Sequence, residues 1–206
     1  MAKRSFIYRH IRIYRLIMNI LYLGKYKRRF TPVIQQLNQL APGTKVLELC
    51  FGDIYIAEFC RKAAFQWTGI DLNPHFVDQA KKLGYHALIQ DLTGLQSFPK
   101  AQVCIMMGSL YHFHPNTEVI LGKMFQAADI VIISEPVLNL SSKNGLLGFF
   151  AKNSANVGKG DKAFRYTRAS FLFLLEKKKD LLNYRILSLQ DEGKDLIVKL
   201  IKNGSH

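Results

Sequence analysis

The residues best suited to chemistry stand at the ends of short apolar runs. Glu48 sits within Val46-Leu47-Glu48-Leu49, and the turn Cys50-Phe51-Gly52-Asp53 follows at once. Past the turn, Ile56, Phe59 and Cys60 recur at helical spacing. A strand, a glycine-containing turn and a helix start make a site for a phosphate- or nucleotide-type ligand. The glycine lets the backbone approach the ligand closely, and the first helical turn offers N–H groups without helical partners. About 20 residues further on, Trp67-Thr68-Gly69-Ile70-Asp71 ends a second apolar run on a carboxylate, suited to accept hydrogen bonds from ribose hydroxyls.

A second group lies after the fourth apolar run. Gly108-Ser109-Leu110-Tyr111-His112-Phe113 follows Gln102–Met107, and Glu135-Pro136 closes a fifth run. Tyr111, His112 and Glu135 are the catalytic candidates. As a general base, His112 would titrate near pH 6 to 7; otherwise it lines a pocket wall or is a satisfied buried histidine. Glu135 could take a proton or hold a substrate cation, or it could serve the structure alone. His112 and His114 are two residues apart with no acid beside them, poor spacing for a metal, so no metal is expected.

These residues need a scaffold that gathers strand ends. Strand-like runs at Lys45–Leu49, Gln66–Asp71, His86–Gln90, Gln102–Met107 and Ile130–Ser134 alternate with helical patterns such as Phe76–Leu83 and Glu118–Ala127. Such alternation predicts a parallel sheet with crossover helices, an α/β Rossmann-like architecture. Near the C-terminus, Thr167 or Ser170 caps a helix over Phe171–Lys178. Asn183–Gln190, the turn Asp191–Lys194 and Asp195–Ile201 then read as an antiparallel hairpin.

In order and spacing, four stretches resemble class I S-adenosylmethionine-dependent methyltransferases of the small-molecule type. They are Glu48-Leu49-Cys50-Phe51-Gly52-Asp53, Gly69-Ile70-Asp71, Leu88-Ile89-Gln90-Asp91-Leu92 and Val103–Phe113. The resemblance covers Lys45 to Val137 well and the C-terminal part loosely. It implies a seven-stranded, mostly parallel sheet with a C-terminal antiparallel hairpin, and S-adenosylmethionine as cofactor. It also implies cofactor contacts from Glu48, Cys50, Gly52 and Asp53, and from Asp71, Leu72, Asn73 and Phe76. Asp91, Leu92, Met107, Gly108 and Ser109 complete the implied set. In the family the first carboxylate orients the amino-acid end of the cofactor, Asp71 would hold the ribose, and Asp91 would face the adenine amino group. The family's turn usually carries three glycines at alternate positions; here Cys50 and Ile54 flank the single Gly52.

Composition bounds the rest. With 206 residues and 49% apolar content, the chain supports one domain with a full core. Three scattered cysteines read as free thiols in a reducing, cytoplasmic setting. The net charge of +14 is uneven. Residues 1–47 hold ten Lys and Arg and no acidic residue, leaving 19 basic against 15 acidic residues in the remainder. Residues 1–40 are therefore read as a basic N-terminal helical cap. Residues 41–206 are the Rossmann-like domain, with a substrate-region insertion at about 137–168. Phe6–Tyr26 patterns as an amphipathic helix, with Arg9, Arg12 and Arg15 on one side and Ile7, Tyr14, Ile17 and Leu21 on another. The arginines interrupt any membrane-spanning run.

Three classes of function follow. The first is a methyltransferase for a small or lipid-like substrate, its basic helix touching an anionic membrane peripherally or only covering the pocket. The apolar island Leu146–Phe150 would then belong to the substrate wall. The second is an RNA or protein methyltransferase gripping through that helix. Nucleic acid is the weaker partner, because the fourth run ends in Gly-Ser-Leu-Tyr and not the Asn-Pro-Pro-aromatic run of enzymes that methylate base amines. The third is a non-catalytic cofactor-binding relative. The identity of the acceptor and the oligomeric state are left open by these residues.

Overall fold

The computed structural model describes residues 11–137 and 164–205. Helices α1 (Ile11–Leu21) and α2 (Thr31–Leu37) come first, joined by a 3-10 turn at Tyr26–Phe30. Then follow β1 (Lys45–Leu49), α3 (Tyr55–Lys62), β2 (Gln66–Asp71), α4 (Pro74–Lys82), β3 (His86–Ile89) and β4 (Val103–Met107). The chain continues with α5 (Thr117–Ala127), β5 (Ile130–Pro136), α6 (Arg168–Lys178), β6 (Tyr184–Glu192) and β7 (Asp195–Lys202). The seven strands form one sheet in the order β3-β2-β1-β4-β5-β7-β6. β1 to β5 pair in parallel, and β7 runs antiparallel to both β5 and β6.

The element types match the sequence reading, and the differences lie at boundaries. α2 begins on Thr31 with Phe30 at the cap position, because the preceding 3-10 turn delivers a chain already in the right-handed helical region. It ends at Leu37. The hairpin turn shrinks to Gly193-Lys194, since Gly193 at φ 61° reverses the chain within two residues. Thr167 caps α6 in a reciprocal box with Ser170. Arg9 and Leu146–Phe150, with most of the expected insertion, lie outside the described residues.

Two apolar layers sandwich the sheet. On one side Leu47, Leu49 and Met106 pack against Leu121 of α5 and Phe171 of α6. On the other, Val46 and Ile105 pack against Ile56 of α3, Val77 of α4 and Val33 of α2. α1 lies on this second layer through Ile11, Tyr14, Met18 and Tyr22. β4 is buried along its whole length, as expected for a central parallel strand covered on both faces.

Candidate active site

The helix after β1 packs on one face of the sheet and the helix after β4 on the other. The strand order therefore reverses between β1 and β4, and a crevice opens at their carboxyl ends. The sequence places its polar residues around that crevice. Cys50 and Gly52 take left-handed φ values of 53° and 57°, which fold the β1–α3 loop back on itself. Asp71, at the end of β2, is buried; its Oδ2 accepts from Gly52 N at 3.0 Å and its Oδ1 from Asn73 N at 2.8 Å. Burial raises the Asp71 carboxyl to about 6, against the pull of those N–H groups. A carboxylate has about four lone-pair sites, so two bonds leave capacity for two hydroxyls.

Glu48 is fully buried on the α3 side of β1. Trp67 Nε1 donates to its Oε2 at 2.8 Å, while Oε1 has no hydrogen-bond partner among the described residues. Burial pushes this carboxyl well up. Asp91 accepts from Thr93 N at 3.0 Å and Thr93 Oγ1 at 2.6 Å, so it closes a turn after β3. Leu92 and Met107 are buried, in the apolar layers on opposite faces of the sheet. Asn73 caps α4 by accepting from His75 N at 3.1 Å, and Leu72 is half-buried before it. Ser109 Oγ donates to Met107 O at 3.2 Å.

Of the catalytic candidates, Glu135 faces inward. It is buried, and its two oxygens accept from Leu110 N at 3.1 Å and Tyr111 N at 3.3 Å. It thereby anchors the 3-10 turn Leu110–Phe113, in keeping with the structural alternative for this residue. Burial raises it to about 8. Tyr111 and His112 lie side by side with ring centres 4.0 Å apart, and the guanidinium of Arg165 stacks 3.8 Å over Tyr111. Burial and that cation lower His112 to about 4, in place of the expected 6 to 7. Burial lifts Tyr111 to about 12. Among the described residues no cluster of His, Cys, Asp and Glu could hold a metal.

Sequence reasoning missed the groups that α1 and the following turn bring to the crevice. Tyr14 lies over Gly52: a Cβ on that glycine would stand 3.1 Å from Tyr14 Oη. The Tyr14 ring also meets Phe76 at 5.0 Å. Arg15, expected on the outer side with Arg9 and Arg12, turns inward and pairs with the fully buried Asp53 through Nη2 at 2.7 Å and Nε at 3.0 Å. Arg29 is 6% exposed and sits against Gly108, where a Cβ would meet its Nη2 at 2.6 Å. Tyr22 Oη donates to the buried Asp195 of β7 at 3.0 Å. The signal was present in the acid-free N-terminus, because buried Asp53 and Asp195 need cations and the nearest supply is there.

Against solved structures the chain matches several proteins at low identity. One is the magnesium protoporphyrin IX methyltransferase ChlM from Synechocystis PCC 6803 with bound SAH, at 16% identity and a TM-score of 0.60, covering 94% of this chain and 100% of that one. The fold is that of class I methyltransferases. The methyltransferase fold is shared with the rRNA methylase of Escherichia coli, at 14% identity and a TM-score of 0.61, over 87% of this chain and 65% of that one. It is shared too with the cyclase SpnF, at 14% identity and a TM-score of 0.63, over 87% and 82%. No protein-family profile matches the chain. No curated protein matches it by sequence. At these identities the likeness carries the architecture, and the activity has to be argued from the site.

Proposed function

We propose that this chain is an S-adenosylmethionine-dependent methyltransferase acting on a small or lipid-like acceptor. The observation that carries the reading is Asp71, held at the sheet's switch point by Gly52 N–H with acceptor capacity to spare. The rest of the crevice suits the cofactor. Glu48 Oε1 is a buried oxygen lacking a donor, which an ammonium would satisfy. Gly52 and Gly108, both at left-handed φ, leave backbone uncovered by side chains of their own. Phe76 offers a buried apolar face near the adenine end.

When bound, the cofactor supplies an electrophilic methyl group on a sulfonium. The protein's part is to position, exclude water and, for a neutral acceptor, remove a proton. With its pKa lowered to about 4, His112 is neutral throughout the physiological range but only a weak base, which favours a wall or hydrogen-bonding role over proton removal. Tyr111 stays protonated and offers a donor at the same place. Glu135 holds both by fixing the turn that carries them. Positioning and desolvation suffice for an anionic acceptor, so no further dyad is required.

α1 supports an acceptor that reaches the enzyme from an anionic surface. Its outer side exposes Leu16, Ile20 and Leu23, with exposed Arg12, Lys25, Lys27 and Arg28 around them. Apolar side chains ringed by cations suit peripheral contact with acidic lipid. Among the described residues no helix is long and apolar enough to cross a membrane. An RNA grip draws less support, since Arg15 and Arg29 spend their charge on buried carboxylates. Calorimetry of the full chain with S-adenosylhomocysteine tests the reading: binding at micromolar or tighter affinity is expected, and binding of NAD in its place would overturn it.

A further inference from the structure

Arg29 lies on the opposite side of the crevice from Asp71, between the end of β4 and the start of β7. It is almost wholly buried, yet its partners are incomplete. Nε stands 3.3 Å from Asp195 Oδ2 as an ion pair, but neither Nε nor Nη2 makes a hydrogen bond among the described residues. Asp195 meanwhile accepts from Tyr22 Oη through both oxygens, at 3.0 and 3.2 Å. The guanidinium is steered by aromatic faces, with Tyr22 at 4.9 Å, Phe30 at 5.8 Å and Tyr26 at 6.0 Å. Nη2 is packed against Gly108 at the end of β4, in the space a side chain there would take, buried and without an acceptor among the described residues.

A buried guanidinium keeps its charge, and a buried donor left without an acceptor costs free energy. Its planar fork matches a carboxylate, which could take Nη2 and a neighbouring N–H together. Of the crevice's own carboxylates, Asp53 faces Arg15 and Glu135 faces the Leu110–Tyr111 backbone; Asp71 and Glu48 keep spare acceptor capacity, but the ion pair Arg29 makes is with Asp195. Gly108 is what lets the guanidinium lie against the end of β4, because any Cβ there would strike Nη2.

We propose that Arg29 is the receptor for a carboxylate-bearing ligand on the β4–β7 side of the crevice. The proposal rests on the methyltransferase reading. The carboxylate belongs either to the acceptor or to the amino-acid end of the cofactor, and the same guanidinium chemistry serves both.

The test uses the full chain and the double variant R29Q/D195N, which removes the cation and its buried partner together, so that neither is left charged and alone. Circular dichroism and melting confirm that it is folded; Arg29→Lys, which keeps charge but loses the fork, serves as a second variant. In one arm calorimetry compares S-adenosylhomocysteine with 5′-methylthioadenosine, which lacks the amino-acid end. In the other arm octanoate is compared with octanamide, and 4-hydroxybenzoate with 4-hydroxybenzamide, with and without saturating S-adenosylhomocysteine. The wild type is expected to prefer the carboxylate member of at least one pair by about tenfold or more, and both variants to lose that preference. Loss confined to the first arm assigns the receptor to the cofactor; loss confined to the second assigns it to the acceptor. Equal discrimination by wild type and variants, or none in any pair, would overturn the proposal. Failure of both nucleosides to bind while a carboxylate pair still depends on Arg29 would instead count against the methyltransferase reading alone.

Discussion

Arg15 forks onto Asp53 with two contacts, at 2.7 and 3.0 Å, and so fastens the first helix over the loop that follows β1. Asp53 is fully buried and also accepts from Ile54 N at 2.8 Å, so the loop's conformation and the helix's position are set by one carboxylate. Tyr14, the preceding residue, is thereby laid over Gly52. α1 thereby covers the β1–α3 loop, and the expected outcome is that a ligand seated against Gly52 displaces this closure.

Arg15→Ala should loosen that closure. Leaving Asp53 buried with one partner fewer should destabilise the protein by about 1–3 kcal/mol. The open form becomes more populated, and the apparent affinity for S-adenosylhomocysteine rises by about tenfold for each 1.4 kcal/mol taken from the closed form. Stopped-flow fluorescence from Trp67 checks this. An association rate identical to that of the wild type would show that the helix does not gate the crevice.

Asp71→Ala should weaken S-adenosylhomocysteine by at least about tenfold, because one charge-assisted contact contributes about 1.5–3 kcal/mol. Asp71→Asn should fall between the two, as one acceptor oxygen is kept. Unchanged affinity in both variants would remove Asp71 from the ribose role.

Gly52→Ala and Gly108→Ala should each cost about 1–2 kcal/mol in backbone strain, since both sit at left-handed φ, 57° and 64°. Their contacts differ. At Gly52 the new methyl meets a tyrosine hydroxyl at 3.1 Å, at Gly108 a buried guanidinium nitrogen at 2.6 Å. Gly108→Ala should therefore be the more damaging of the two, as read from thermal melting.

The pH dependence of stability has a worked sign. Burial raises Glu135 from 4.5 to about 8 and Asp71 from 3.8 to about 6. Between the unfolded and folded values the native state holds more protons, so stability falls as pH rises from about 4 to 8. Glu135→Gln should flatten the upper half of that slope, at a cost of about 1 kcal/mol for turning an amide donor toward a backbone N–H. His112 works the other way. Its pKa near 4 means stability is lost as pH falls from about 6.5 toward 4, and any acid limb in kcat/KM that belongs to it lies near 4. A limb at 6 to 7 that disappears in His112→Gln would contradict the burial argument.

The sheet was legible in the sequence because parallel strands buried on both faces read as unbroken apolar runs, as Val103–Met107 does. Asp71 was legible because a strand-end carboxylate after a glycine turn has few other uses. Between its two roles Glu135 was left open, because an acid after an apolar run looks the same whether it faces a ligand or two backbone N–H groups. Arg15 was grouped with Arg9 and Arg12 on one side of the helix, since helical spacing separates charged from apolar sides without showing where a buried acid waits. Asp53 and Asp195 lie 38 residues after Arg15 and 173 after Tyr22, and only the folded topology joins them.

That last separation has a consequence for how the chain is made. Tyr22 is held by Asp195, and Lys194 Nζ donates to Leu21 O, so the clasp on α1 is translated well after the helix it holds. At about 5–20 residues per second, the 173 intervening residues occupy about 9–35 s. Over that interval Tyr14, Met18 and Tyr22 have emerged from the ribosome with no completed sheet to lie on. α1 is fastened only after the β6–β7 hairpin has been made, so its aromatic side waits uncovered by that hairpin for the interval between them.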